Sequence, residues 1–149
     1  MTKPVVNIAD MSLSTIRLIF GRLLREAAWP PVAVLVLFAI LLETPDNLEP
    51  FWQLHFLGGA AMAFFFFQAV RIAAAWLGTL RPIGHYLLAF ALACVVALIW
   101  EIGEFAADQL WGMLLQKNLE ETMGDLVFAA LGALSALVLL ACLRRITWR

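Results

Sequence analysis

Charge is what this sequence has least of. Lysine, arginine, aspartate and glutamate make up 14% of its 149 residues, against about 25% in an ordinary soluble domain. Apolar residues make up 64%, more than a water-soluble chain of this size can hide in one core. The composition therefore excludes a soluble globular class and requires the bilayer as solvent. Cysteine is scarce too. Cys94 lies in an apolar run and Cys142 lies beside the basic C-terminal end. Neither has CxxC spacing, so no redox or metal motif is indicated, and both read as small buried apolar residues. GxxxxGK[ST], GxSxG, HExxH and glycine-rich dinucleotide loops are missing, which removes the common soluble-enzyme motifs. No polar linker and no internal repeat divides the chain, so one domain is expected over residues 1–149. The first apolar run begins near Trp29 and ends in Leu41-Leu42-Glu43-Thr44-Pro45. It lacks a small-residue cleavage site, so the expectation is a retained membrane helix and not a cleaved signal.

What is present is a series of long apolar runs. Residues 12–29 form an amphipathic stretch, with Leu13, Ile16, Phe20, Leu23, Leu24 and Ala27 on one helical face. Arg17, Arg22, Arg25 and Glu26 fall on the other. Such a helix either lies on an anionic membrane surface or packs on the protein's own end. Membrane spans are expected at about 30–43, 51–77, 85–107 and 121–143. The first is the weakest, because it is shorter than the ~20 residues of a full crossing and so could be re-entrant. Residues 108–120 form the connection between the last two spans, apolar enough at Trp111, Met113, Leu114 and Leu115 to lie in the interface. These runs are apolar on all sides and twice the length of barrel strands, which alternate. In lipid a helix satisfies its own backbone. The expected fold class is thus an all-α integral membrane bundle of four transmembrane helices with an N-terminal amphipathic interfacial helix.

Four crossings segregate the charges. Lys3, Arg17, Arg22, Arg25, Arg71, Arg81, Arg144, Arg145 and Arg149 fall on one side and Lys117 alone on the other. The positive-inside rule makes the first side cytoplasmic, termini included. Glu43, Asp46, Glu49, Asp108, Glu120 and Glu121 gather on the outer side. The basic residues form a membrane pattern and not a nucleic-acid patch. Small-residue pairs four apart mark expected helix contacts: Gly59 with Ala63, Gly103 with Ala107, and Gly132 with Ala136.

Several ionisable residues remain inside or at the edges of the spans, where a charge costs roughly 2.5–3.5 kcal/mol on insertion scales. Topology puts His55, Glu101, Glu104, Asp108, Glu121 and Asp125 in one outward layer. Glu101, Glu104 and Asp108 are spaced i, i+3, i+7 and share a helical face, as do Glu121 and Asp125 at i, i+4. Three readings stay open. The acids could join His55, Thr122 and Gln68 in a structural hydrogen-bond network. They could line a ligand or ion pocket, built from His55, Glu101, Glu104, Asp108 and Asp125. They could be catalytic, with a carboxylate or His55 as general base. A divalent cation is the cofactor such a set could take, with His55, Glu104 and Asp125 as candidate ligands, though one histidine among scattered acids is not a diagnostic set. Arg71 is read as snorkelling to headgroups, His85 as a solvated interface histidine, and Phe64 to Phe67 as lipid contact and packing.

The polar motifs have a family likeness. His55-Phe56-x-x-Gly59 opens one span, Trp100-Glu101-x-x-Glu104-Phe105-x-x-Asp108 closes the next, and Glu121-Thr122-x-x-Asp125-Leu126 opens the last, with Gly132-Ala133 beyond. Over about the last two-thirds of the chain this resembles the small bacterial inner-membrane proteins of the YjdF type, and more distantly the VanZ-like proteins. The resemblance implies a membrane fold of four to six helices, and for the VanZ-like proteins an association with glycopeptide resistance. Glu121 stands where the YjdF-like pattern has aspartate, which keeps the charge. The leading expectation is a non-enzymatic protein of the bacterial inner membrane. It would bind a small ligand, cation or lipid headgroup in an acidic outward-facing pocket. The alternatives are a membrane-embedded hydrolase or transferase acting on lipid-linked envelope material, and an accessory subunit of a membrane complex. The bilayer is the expected partner, together with a second copy or a membrane complex partner.

Overall fold

Ser12 opens the first helix. Its hydroxyl accepts the Thr15 backbone N–H at 3.2 Å, covering one of the donors that every helix start leaves unpaired. Helix α1 runs over Leu13–Ala27. It cannot continue, because Pro30 and Pro31 have no N–H to give the carbonyls of Glu26 and Ala27. The same prolines suit the first turn of a new helix. Helix α2, Trp29–Leu42, accordingly departs at 59° to α1. Helices α3, Phe51–Leu77, α4, Pro82–Trp111, and α5, Leu119–Thr147, follow. The computed structural model describes residues 12–42, 51–78 and 80–147, and every regular element among them is helical. Lys3, Glu43, Asp46, Glu49 and Arg149, together with the side chains of Arg144 and Arg145, belong to the orientation argument above and lie outside the described residues.

Stretches within α3, α4 and α5, of 23, 30 and 25 residues, are each long and apolar enough to cross a bilayer. At 14 residues, α2 is about 21 Å long, short of a ~30 Å hydrocarbon core. Together α1 and α2 are long and apolar enough to be a broken span or a re-entrant pair. Three or four crossings are therefore available among the described residues. The boundaries differ from the expected ones at α4 and α5. The third span was expected over 85–107, but α4 starts at Pro82, which fits its first turn, and continues to Trp111. There Gly112 adopts a left-handed conformation (φ 64°) and gives its N–H to the Asp108 carbonyl at 3.0 Å. That is a glycine helix stop, and it shortens the connection expected at 108–120 to seven residues, 112–118.

The core is unlike that of a soluble protein. Its buried members are mostly alanine: Ala61, Ala63, Ala89, Ala93, Ala129 and Ala133, with Phe67 the one large side chain almost wholly enclosed among the described residues. Leucine, valine and isoleucine lie mostly outside, on faces that need lipid. Small residues let backbones approach where dispersion, not water exclusion, holds helices together. Helix α3 is the hub, packed most extensively on α5 and also on α4, α2 and α1. Gly59 lies against the backbone of Ala129, and Gly132 against that of Phe56. Two of the three expected small-residue contacts thus fall on the α3–α5 seam. The Gly103 position does not: it is exposed, with open space where a Cβ would stand. Cys94 is half-buried and Cys142 exposed, so the expectation of burial fails at Cys142.

One further side chain departs from its expected setting. The His85 Nε2–H donates to the Phe67 carbonyl at 2.8 Å and its ring stacks on Phe67 at 4.4 Å, so it is a packed histidine and not a solvated one. Arg71 is exposed, and its guanidinium lies 3.4 Å from a Glu26 carboxylate oxygen that belongs to α1. Glu26 also accepts from Arg22 at 2.9 Å. This triad ties α1 to α3. Leu13, Ile16, Phe20 and Leu24 of α1 stay exposed, so the bundle leaves most of that face uncovered.

Candidate functional site

His55 is four residues into α3, Asp125 six residues into α5, and Glu101 ten residues before the end of α4. Helices α3 and α5 start at the end of the bundle where α4 finishes, so the three residues share one level. The α3–α5 seam fixes their separation. Gly59 and Gly132 bring the backbones together one turn below His55 and two turns below Asp125. Trp52 lies across Gly124 and stacks on Phe128 at 5.1 Å, closing the seam above.

The result is a histidine between two carboxylates. His55 Nδ1 is 3.6 Å from Glu101 Oε1, and Nε2 is 3.7 Å from Asp125 Oδ1. Glu101 and Asp125 are each 4% exposed. The two oxygens that face His55 are buried and have no hydrogen-bond partner. An unpartnered buried carboxylate oxygen is costly, and two of them pointing at one imidazole call for a cation or a proton between. Direct charge-assisted hydrogen bonds would be about 2.7–2.9 Å, and these separations are longer. Two ligands held ~2.0–2.2 Å from one metal ion stand roughly 3–3.5 Å apart. One ligand atom from each residue fits within 4.8 Å of the others.

Of the five residues expected to form the pocket, the structure brings together His55, Glu101 and Asp125. Glu104 and Asp108 share the Glu101 helical face but are engaged elsewhere. Glu104 accepts the Trp100 indole N–H at 2.8 Å. Asp108 is about 10 Å further along the axis and accepts the backbone N–H groups of Leu115 and Gln116 at 2.6 and 2.9 Å. Among the candidate ligands His55, Glu104 and Asp125, Glu101 therefore takes the place expected of Glu104. Glu121 pairs with Lys117, whose ammonium is 3.4 Å away. Thr122 bonds back to the Asn118 carbonyl. Gln68 is thirteen residues past His55, some 20 Å along the helix, so neither joins His55 in a network.

Gln116 is the residue that sequence reasoning missed. Its amide donates to the Glu101 carbonyl at 3.1 Å and to Glu101 Oε2 at 3.3 Å. This occupies one carboxylate oxygen and leaves Oε1 toward His55. Asp108 supports it by holding the Gln116 backbone. Gly112 marks the helix stop that folds this connection back, and that was the available signal.

Residues 50–146 match a family described as predicted membrane proteins, DUF2238. The chain belongs to the DUF2238 family. YjdF-like is a name used within that family. The match covers α3, α4 and α5, and with them His55, Glu101 and Asp125. A protein of Thermotoga maritima, described as uncharacterised, is 35% identical over 85 residues, which are 55% of this chain and 43% of that protein. The chain thus spans less than half the length of this relative. No solved structure matches the chain.

Proposed function

We propose that this DUF2238 protein binds a divalent cation between His55, Glu101 and Asp125, inside the membrane and open to its outer face. The observation that carries the reading is the pair of buried, unpartnered oxygens, Glu101 Oε1 and Asp125 Oδ1, both turned to His55. A nitrogen and two carboxylate oxygens suit an ion of the zinc or manganese class. Three protein ligands leave a coordination position open, as catalytic and exchangeable sites do and closed structural sites do not. The open position keeps a hydrolase or transferase acting on lipid-linked envelope material as the alternative to a binding protein. The setting is a bacterial inner membrane. Four crossings, with α2 the short first one and α1 not part of it, put the arginines at the cytoplasmic end and the His55 end outside. The exposed apolar face of α1 then rests on the cytoplasmic leaflet.

Elemental analysis of protein purified without chelators tests the reading. About one zinc or manganese per chain is expected, lost in His55→Ala and Asp125→Asn and kept in Glu104→Gln and Asp108→Asn. Protein that takes up neither ion on titration, or that keeps its metal in His55→Ala, overturns it.

A further inference from the structure

An apolar cleft of about 250 Å³ leads away from His55. Helices α2, α3 and α4 form its walls, with Ala129 of α5. Phe38 and Trp100, whose rings meet edge to face at 5.5 Å, stand with His55 at one end. Pro31, Met62 and Ala93 stand at the other. On α3 the lining runs from Leu54 to Met62, about 12 Å along the axis. The cleft is thus parallel to the helices and larger than the ~150 Å³ apolar cavity that accepts benzene. His55 is the one ionisable residue in its lining. Leu35 and Trp100 keep 52% and 39% of their surface exposed, so the slot opens sideways between α2 and α4. In a membrane that opening faces acyl chains.

We infer that the cleft holds the apolar chain of a membrane amphiphile whose phosphate head meets the cation at His55, Glu101 and Asp125. The inference rests on the cation reading and names its ligand class. Two carboxylates without a cation would repel an anionic head. A bound divalent ion removes that repulsion and offers its open position to a phosphate oxygen. Shape and charge thus select a slender apolar chain running along the bilayer normal, with an anionic group at its outer end. The chain could come from a glycerophospholipid or from a polyprenyl phosphate.

The test uses the full chain in phosphatidylcholine nanodiscs with an alkyl phosphate carrying a diazirine in its chain. Labelling is expected at Val34, Val96 or Met62, and it should disappear with chelator. Gly58→Leu should remove it while metal content stays unchanged. A Cβ at position 58 has room, 4.0 Å from Val34, and the longer side chain then fills the slot. Ala97→Leu repeats the block from the α4 wall, in case Gly58→Leu folds poorly. Phosphatidic acid and a prenyl phosphate, added as competitors, distinguish the two sources. Metal-loaded protein that is not labelled in the cleft, or whose labelling survives both blocking variants, overturns the inference. An ammonium-headed probe that labels the cleft of metal-free protein, where the phosphate probe does not, sinks the cation reading and the phosphate assignment with it.

Discussion

Gly132 of α5 and Phe56 of α3 meet backbone to backbone: a methyl group added at position 132 would overlap the Phe56 carbonyl. Phe56 directly follows His55, so the contact sets how far the imidazole stands from Asp125 as well as how the helices cross. Gly132→Val and Gly59→Val should each destabilise the bundle by at least ~1–3 kcal/mol, the usual cost of overpacking, and both should lose the cation. Gly103→Ala, in open space, should be neutral or stabilising. Thermal unfolding in detergent, with metal content measured on the same samples, separates these outcomes.

Gln116 orients Glu101 without facing His55. Gln116→Ala should weaken zinc or manganese binding by ~10–100-fold, as loss of an outer-shell partner does, while thermal stability of the metal-free protein changes little. Titration calorimetry reads the affinity. Unchanged affinity would mean that Glu101 needs no support from the connection.

Asp108 holds the 112–118 connection through two backbone N–H groups. Asp108→Ala should cost ~1.5–3 kcal/mol, the range for a hydrogen bond to a charged group. The loss should appear as faster hydrogen exchange at the amides of Leu115 and Gln116. Leu114 adopts a positive φ of 57°, which favours glycine, so Leu114→Gly should relieve that strain and slow exchange in the same segment.

The Arg22 hydrogen bond, aided by the charges of Arg22, Arg71 and Arg25, holds the Glu26 carboxyl below its ordinary value. A lowered carboxyl pKa contributes stability above the ordinary glutamate value, ~4.3, and that contribution is lost as pH falls through the lowered value. Docking of α1 on α3 should therefore be constant at neutral pH and weaken only in acid. Glu26→Gln should reproduce the weakened docking at pH 7. Hydrogen exchange across α1 measures both, and acid-insensitive exchange would contradict the role given to this triad.

Much of the fold was legible because lipid imposes simple rules. Long apolar runs become helices, and α3 falls on the expected span, Phe51–Leu77. The layer of ionisable residues followed from counting turns along antiparallel helices, which placed His55, Glu101 and Asp125 at one height. The bends were partly legible: Pro30-Pro31 announced the α1–α2 break, but Gly112 was passed over as the stop of α4. Which acid faces the histidine was not legible. Glu101 and Glu104 share a helical face, and spacing alone cannot tell which of them a neighbouring helix will meet.

The sequence by itself determined that this chain dissolves in lipid, where its helices run, and which few charged groups they carry into the bilayer. Tertiary structure decided the partners. The glycine seam between α3 and α5 fixes the rotation of both helices and so turns His55 and Asp125 toward each other, and the folded-back connection lets Gln116 hold Glu101. Rotation about a helix axis is set by side-chain packing against neighbours, a long-range quantity that local spacing does not contain.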